Sequence, residues 1–542
     1  MNLRFVLAQW GRLGQLLGTL LAAVGLIFFL IPGERGLILD AAELSLLGSG
    51  AMAIVLGTAA WIFGKPATRV QMRGLDADNQ PVTKPYRMSR RDASLVTSGA
   101  WILGAGIAAA PFLTWATLAE GAAADHPFHS LVNCYFEAMS GMTTTGATVL
   151  TDIESLPRSL LLWRSLIQWL GGLGILVLFV AILPGLGTAA KKLFRIESPG
   201  PDPEGVRPTI RQTAQRLWML YVGMTIAQML LLRITGMGLF DAANHTFTTL
   251  ATGGFSTRNA SLARPESLAA EIVLVVFMVL AGSNFTVLLA FLKGRWRAAL
   301  KDTEFRIYML CLIGGTAIVT AALVSSGDPI VLSNGTALAA TGGESLRAAA
   351  FTVVSQQTTT GYVTFDFDLW PFAAKAMIIV LMFVGGSAGS TAGGVKVVRI
   401  WITFRVLWGE LERFFRPDVV RPLKISGQVI DKEQKLNVVT YVLGTLLLLG
   451  VGAVVIKALE SGNSECSFTT AATTSLATIC TVGPGLDRVG AIQNYGWFTD
   501  ATKLFLCGLM LLGRLEVFVI LVLFHPRFWR GATLGSGHRR SQ

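Results

Sequence analysis

The sequence predicts an all-α polytopic membrane protein with four tandem repeats, each a span, a short helix with a glycine-containing loop, and a second span. Three observations support this fold class. The 542 residues are 52% hydrophobic and 14% charged, with a mean hydropathy of +0.57, which is too apolar for a soluble protein. Ten apolar stretches are long enough to span a bilayer. Four shorter segments rich in Thr and Gly recur between them.

The ten predicted spans approach or exceed the roughly 20 residues that a transmembrane helix needs. They cover residues 13–32, 44–64, 94–117, 161–184, 216–235, 268–292, 304–326, 374–407, 436–458 and 501–524. The first two precede the repeats and form an extra N-terminal pair of transmembrane helices. The first resembles a signal peptide, but no A-x-A-like cleavage site follows it, so we expect it to remain as a helix.

The four short segments define the repeats. Each begins as a plausible helix and ends in a glycine, and the intervals between Gly146, Gly254, Gly361 and Gly483 are 108, 107 and 122 residues. One span lies on each side of every segment. The predicted units are therefore the N-terminal pair, 1–66, and repeats 67–195, 196–300, 301–415 and 416–542. The fourth repeat has the least regular spacing, because it contains an insertion and a proline directly after its glycine.

The basic residues predict the orientation of the spans. Lys and Arg concentrate in the segments that join one repeat to the next, around positions 65–91, 191–211, 293–301 and 413–435. The positive-inside rule makes these segments and both termini cytoplasmic, whereas the glycine loops lie among acidic residues and open outward. Topology thus explains the net charge of +12, and we expect no nucleic-acid binding.

The glycine loops predict a central pore, because non-helical backbone at membrane depth must be buried in protein or line a water-filled path. The carboxyl end of each short helix favours a cation. A ring of backbone carbonyls can replace the hydration shell of K⁺, and glycine allows the backbone angles that orient them. Ordinary surface turns with Thr caps are the alternative. The predicted filter residues are Thr144, Thr145, Gly146, Thr252, Gly253, Gly254, Thr359, Thr360, Gly361, Thr481, Val482 and Gly483.

Four stretches are similar to the Trk-type potassium uptake membrane subunits (TrkH/TrkG) of the Trk/Ktr/HKT superfamily. They read GMTTTGATVLTDIESLPRSLLLWRSLIQWLGGLGILVL, GMGLFDAANHTFTTLATGGFSTRN, GGSAGSTAGGVKVVR and LLGRLEVFVILVLF. The resemblance implies potassium uptake by one chain that mimics a channel tetramer, and a lipid-embedded homodimer in the bacterial inner membrane. It also implies gating by a cytosolic TrkA-type NAD(H)- or ATP-binding ring. K⁺ is the expected ion, with no organic cofactor. Glycine at all four filter positions favours K⁺ over Na⁺, because a Ser in the first loop marks Na⁺ transport in plant HKT relatives.

A glycine-rich segment interrupts the second span of the third repeat at residues 385–394, GGSAGSTAGG. Its five glycines cost about 1 kcal/mol each relative to Ala and make a poor helix. The resemblance implies a flexible lid beneath the filter, whereas small-xxx-small spacing would also suit a closely packed helix. The predicted gating residues are Gly385, Gly386, Gly389, Gly393, Gly394, Lys396 and Arg514.

Three polar residues in apolar surroundings are also candidates. Arg514 lies deep in the last span, where a charge is functional by default, and we predict that it sets an electrostatic barrier below the filter. A structural pairing with a carbonyl or with the lid is the alternative. Glu137 and His245, each nine residues before a filter glycine, are predicted to anchor their short helices rather than to contact ions.

Two other classes of function are disfavoured. The five histidines and the carboxylates show no spacing typical of a metalloenzyme or a nucleophile-and-base pair, so we do not expect an enzyme. The repeats run parallel, whereas a secondary transporter of organic solutes commonly has inverted repeats. Selectivity for Na⁺ rather than K⁺ is the closer alternative within the transport class.

Overall fold

The computed structural model describes residues 1–30, 40–65, 69–75, 81–85, 88–119, 125–174, 210–262, 267–417, 422–515 and 517–530, most of which are helical. The helices are α1 (Leu3–Leu30), α2 (Ala41–Gly64), α3 (Arg90–Leu118), α4 (Leu131–Met142), α5 (Arg158–Gly172), α6 (Ile210–Ile234), α7 (Leu239–Leu250), α8 (Leu268–Gly282), α9 (Phe285–Leu292), α10 (Trp296–Leu300), α11 (Thr303–Ser326), α12 (Gly342–Gln357), α13 (Phe372–Val384), α14 (Val397–Phe415), α15 (Lys432–Leu459), α16 (Phe468–Ile479), α17 (Asp500–Arg514) and α18 (Val517–Leu521).

Short strands pair into three antiparallel hairpins between the helices. They are β1 (Arg69–Leu75) with β2 (Pro81–Pro85), β3 (Ile330–Val331) with β4 (Ala337–Leu338), and β5 (Lys424–Ile425) with β6 (Gln428–Val429). All three lie in connections between helices, so the helices alone form the body of the protein.

Among the described residues, six helices are long and apolar enough to cross a membrane, namely α1, α2, α3, α6, α11 and α15. They coincide with six of the ten predicted spans. The predicted span over 161–184 begins as α5, but its second half lies outside the described residues, as do Lys191, Lys192, Arg195 and Arg207 of the connection that follows. The N-terminal pair packs through small residues, since a Cβ added at Gly11 would lie 2.5 Å from the Gly57 carbonyl oxygen.

The predicted span over 268–292 is not one straight helix. It consists of α8 and α9, which are bent by 110° at Ser283 and Asn284. The Asn284 side chain accepts a hydrogen bond from the Thr286 amide at 2.8 Å and so caps a new helix. The amide of Phe285, which the break frees, donates to the Gly389 carbonyl at 3.1 Å. The bend therefore depends on a contact with the glycine-rich segment, which lies far away in the sequence and is not predictable from the residues around the bend.

The four short helices α4, α7, α12 and α16 occupy equivalent places. Each packs against the helix before it in its own repeat, the helix after it, and a helix of the preceding repeat. The contacts with the preceding repeat are α7 with α5, α12 with α8, α16 with α13, and α4 with α17. The last contact joins the end of the chain to its first repeat. The short helices thus surround one axis.

Candidate functional site

The four short helices end in the same backbone conformation. A threonine with positive φ follows each helix, at Thr144 (56°), Thr252 (53°), Thr359 (56°) and Thr481 (51°). A glycine with positive φ follows two residues later, at Gly146 (81°), Gly254 (73°), Gly361 (73°) and Gly483 (97°). The fourth loop has this pattern too, although its sequence spacing is irregular. The structure therefore aligns the four loops by backbone geometry.

The positive φ of the threonines is unusual, because a β-branched residue is strained there by about 1–3 kcal/mol. In each loop the next amide donates to the carbonyl five residues earlier, which closes the helix end in the manner of a Schellman motif. These hydrogen bonds join Thr145 to Ser140 (2.9 Å), Gly253 to Thr248 (2.9 Å), Thr360 to Ser355 (2.9 Å) and Val482 to Ala477 (2.8 Å). All four threonines are buried, so the surrounding protein holds the strained conformation.

The four loops form a closed ring, in which each filter glycine faces a carbonyl of a neighbouring loop. A Cβ added at Gly146 would overlap the carbonyl oxygen of Gly253. In the same way, a Cβ at Gly254 would overlap the carbonyl oxygen of Thr360, and a Cβ at Gly361 would overlap that of Val482. A Cβ at Gly483 would lie 2.6 Å from the carbonyl oxygen of Thr145. The contacts run from loop 1 to 2, 2 to 3, 3 to 4, and 4 back to 1. Only glycine fits at these four positions.

The ring offers a cation neutral oxygen ligands. A cavity touches all four loops and is lined by the four filter glycines together with Pro484, Tyr495 and Arg164, among other residues. In the part of the chain that the structure describes, no cluster of three or more His, Cys, Asp or Glu side chains could hold a metal ion. Backbone carbonyls and the carboxyl ends of four short helices meet at this ring, and both kinds of group favour a cation.

Glu137 anchors the first loop, as predicted. Its carboxylate is buried, pairs with Arg164 of α5 at 2.6 Å, and accepts from the Val149 amide at 3.0 Å. The Arg164 guanidinium also stacks 4.0 Å from the Phe255 ring centroid and donates to the Ser256 carbonyl at 3.3 Å. This ion pair links loop 1 to loop 2 behind the ring.

His245 has a comparable anchoring position in α7. Its backbone carbonyl accepts from the Tyr362 hydroxyl at 3.0 Å, and its ring packs edge-on against the Tyr362 ring, with 6.0 Å between the centroids. Tyr362 directly follows the third filter glycine. The second short helix is therefore tied to the third loop.

Glu137→Gln is expected to lower the thermal stability of the purified protein strongly, because it leaves the buried Arg164 without its charged partner, a change that costs about 3–5 kcal/mol. Thermal unfolding in detergent measures the effect. Glu410→Gln is the matched control, since Glu410 pairs with Arg413 at an exposed site and such pairs contribute about 0–1 kcal/mol. Equal melting temperatures for the two variants would contradict the anchoring role.

The glycine-rich segment lies directly beneath two of the loops. Residues 385–396 form no helix, so the packed-helix alternative is wrong for this segment. The Gly393 amide donates to the Thr359 hydroxyl at 2.6 Å, and the Gly394 amide donates to the Cys480 carbonyl at 3.1 Å. A Cβ at Gly393 would overlap the hydroxyl oxygen of Thr481. The segment thus touches the base of loops 3 and 4.

Other contacts fix the far side of this segment. The Ser387 amide donates to the Gly282 carbonyl at 2.9 Å, and Lys396 Nζ donates to the Ala392 carbonyl at 2.6 Å. The buried Glu304 carboxylate at the start of α11 accepts from the Ala388 amide at 2.6 Å. Sequence reasoning missed Glu304, because an acidic residue in the first turn of a helix is ordinarily explained by the helix dipole.

Arg514 connects three parts of the site. Its guanidinium donates to the Thr144 hydroxyl at 3.0 Å, to the Thr391 carbonyl at 3.0 Å, and to the carbonyls of Gly171 and Gly172 at 2.5 Å each. It therefore joins loop 1, the glycine-rich segment and the end of α5. The structural pairing considered from the sequence is present, and the positive charge lies below the ring.

Known cation transport proteins are similar to this chain over most of its length. The profile of the TrkH family, described as a cation transport protein, matches residues 83–530. The chain is 35% identical over 449 residues to the Trk system potassium uptake protein TrkH of Salmonella typhimurium, covering 82% of this chain and 87% of that protein. It is 37% identical to the TrkH of Halomonas elongata, with 81% and 86% covered. The crystal structure of the potassium transporter TrkH from Vibrio parahaemolyticus superposes with a TM-score of 0.76 at 29% identity, covering 98% of this chain and 100% of that one.

Proposed function

The chain belongs to the TrkH family of cation transport proteins, and we propose that it takes up K⁺ across a bacterial inner membrane through the ring of four glycine loops. The observation that carries this proposal is the closed ring of contacts between filter glycines and neighbouring carbonyls. A closed ring of four equivalent loops supplies oxygens on all sides of one axis, as a dehydrated cation requires.

The proposed selectivity comes from backbone carbonyls held at fixed positions. Thr145, Gly253, Thr360 and Val482 provide the carbonyls that face neighbouring loops. A ring whose members pack against one another resists contraction around the smaller Na⁺, so that K⁺ is coordinated better. A membrane potential of 100 mV supplies about 2.3 kcal/mol for each inward charge, which is enough to drive uptake without covalent chemistry.

The proposed gate is the glycine-rich segment together with Arg514. Its contacts with loops 3 and 4, and with loop 1 through Arg514, support a gate across the path of an ion that leaves the ring. We extend the proposal to a homodimer and to a cytosolic TrkA-type nucleotide-binding ring that moves this segment. The relatives are named as proteins of a Trk system, which supports the existence of a partner protein.

Purified protein in proteoliposomes tests the proposed function. We expect uptake of K⁺ and Rb⁺ that exceeds uptake of Na⁺ and increases with an inside-negative potential. Repeating the assay with a pH gradient shows whether protons are coupled. Equal uptake of Na⁺ and K⁺, or none above empty vesicles, would contradict the proposal.

Deletion of residues 388–391 is expected to raise basal K⁺ flux several-fold, because it removes the middle of the segment and its contacts with Glu304 and Arg514. Flux is normalised to the amount of monodisperse protein from size-exclusion chromatography. Folded protein with unaltered basal flux would exclude the segment as a gate, and loss of folded protein would show a structural role instead.

A further inference from the structure

The second loop lacks a side chain where the other three have one. Position 253 is glycine, whereas Thr145, Thr360 and Val482 occupy the equivalent places. In loops 1 and 3 the threonine hydroxyl bonds back to a threonine of its own loop, at 2.8 Å in both cases. Gly253 cannot form such a bond, and its freedom to rotate would leave the adjoining carbonyl unfixed.

Gln168, on α5 of the first repeat, fills this gap. Its buried side-chain amide donates from Nε2 to the Gly253 carbonyl at 2.7 Å, and Oε1 accepts from the Phe255 amide at 3.1 Å. The two bonds hold the backbone on both sides of Gly254, the filter glycine. A Cβ added at Gly253 would have the Gln168 atoms Cδ (2.5 Å), Oε1 (2.6 Å) and Nε2 (2.8 Å) as its three nearest neighbours.

The position of Gln168 on its helix is also consistent with this role. Arg164 lies four residues earlier, on the same face of α5, and contacts Phe255 and Ser256 of the second loop. One face of α5 therefore supports the second loop along two successive turns. Arg164 contacts Phe255 and Ser256, which follow the filter glycine Gly254, and Gln168 bonds to the residues on either side of it.

We propose that Gln168 is a positioning residue of the ion filter, and that it fixes the Gly253 carbonyl in place of the side chain that the second loop lacks. The inference rests on the proposed function, since its consequence is ion selectivity. It assigns the second loop's geometry to a residue of the preceding repeat. The ring is thus braced by different means at different loops, although its backbone pattern is fourfold.

Gln168→Leu tests the role of the two hydrogen bonds, because leucine has a similar volume and neither donor nor acceptor. We expect the K⁺:Na⁺ uptake ratio to fall at least fivefold, and K⁺ to protect the variant less against thermal unfolding. Gln228→Leu is the matched control, since Gln228 is equally buried in α6 and its side-chain amide has no hydrogen-bond partner among the described residues. Gln168→Met replaces the leucine variant if that does not fold.

Enlarging residue 253 while shortening residue 168 tests the contact between Gly253 and Gln168 independently. Gly253→Thr alone is expected to lose selectivity or folded yield, because the new side chain collides with Gln168. Adding Gln168→Ala removes the colliding atoms and gives loop 2 the threonine found in loops 1 and 3. We expect the double variant to recover a K⁺:Na⁺ ratio within about threefold of wild type, well above either single variant.

The outcomes separate the two proposals. A selective wild type with an unaffected Gln168→Leu variant, or a double variant no better than Gly253→Thr, would overturn the positioning role alone. A wild type without preference for K⁺ would overturn the proposed function, and this inference with it. Loss of selectivity in Gln168→Leu but not in Gln228→Leu supports both.

Discussion

Gly361→Ser is expected to lower the K⁺:Na⁺ uptake ratio by at least tenfold. Two physical effects act together at this position. The φ of Gly361 is +73°, which a serine adopts only with strain, and the new Cβ would overlap the Val482 carbonyl oxygen of the neighbouring loop. The carbonyl has to move away, which opens the ring on one side. An enlarged or irregular ring no longer distinguishes the two ions by size.

The control for this variant separates selectivity from general damage. Gly314→Ser, in α11, places the same side chain where no atom lies within 4 Å and where φ is not positive. It is expected to keep the wild-type ion ratio. Gly146→Ser is the second test of the ring, because its Cβ would overlap the Gly253 carbonyl in the same way. Unchanged Na⁺ uptake in both folded filter variants would remove these glycines from the selectivity mechanism.

The register of the glycine loops was predictable from the sequence, whereas their threonine conformation was not. Glycine is the residue that adopts positive φ at little cost, so its fourfold recurrence indicates where the chain turns. Threonine is disfavoured at positive φ, and a pattern of residues alone gives no reason to place Thr144 or Thr481 there. Tertiary packing around the buried loops overrides that local preference. The break after Val384 was predictable for a related reason, since five closely spaced glycines do not sustain a helix.

The contacts that support the site join residues far apart in the chain, so the sequence around each residue does not predict them. Gln168 bonds to a carbonyl 85 residues away, and Glu304 bonds to an amide 84 residues away. Nothing in their neighbouring residues marks either side chain as different from an ordinary helix residue. The bend at Asn284 has the same origin, because its freed amide is satisfied by Gly389 of the next repeat. Arg514 was identifiable only because a charge inside an apolar span needs a reason.

Arg514→Ala is expected to increase K⁺ flux per folded protein while the K⁺:Na⁺ ratio stays unchanged. The substitution removes a positive charge below the ring, together with the guanidinium's hydrogen bonds to Thr144, Thr391, Gly171 and Gly172. A unit charge at roughly 8 Å raises the energy of a K⁺ ion by about 2 kcal/mol at an effective dielectric of about 20. Its removal therefore raises flux by at most about thirtyfold. The ring carbonyls keep their own contacts, so selectivity is preserved.

Arg514→Lys distinguishes the charge from the hydrogen bonds. Lysine keeps the positive charge but cannot reproduce the planar, multiply bonded geometry of the guanidinium. If the charge alone forms the barrier, this variant conducts like wild type. We expect its flux to lie between those of wild type and Arg514→Ala, because lysine keeps the positive charge but not the guanidinium's bonds to Thr144 and Thr391, which join loop 1 to the glycine-rich segment. Flux normalised to monodisperse protein is the deciding quantity. A value for Arg514→Ala at or below wild type would show that Arg514 serves the fold and not the gate.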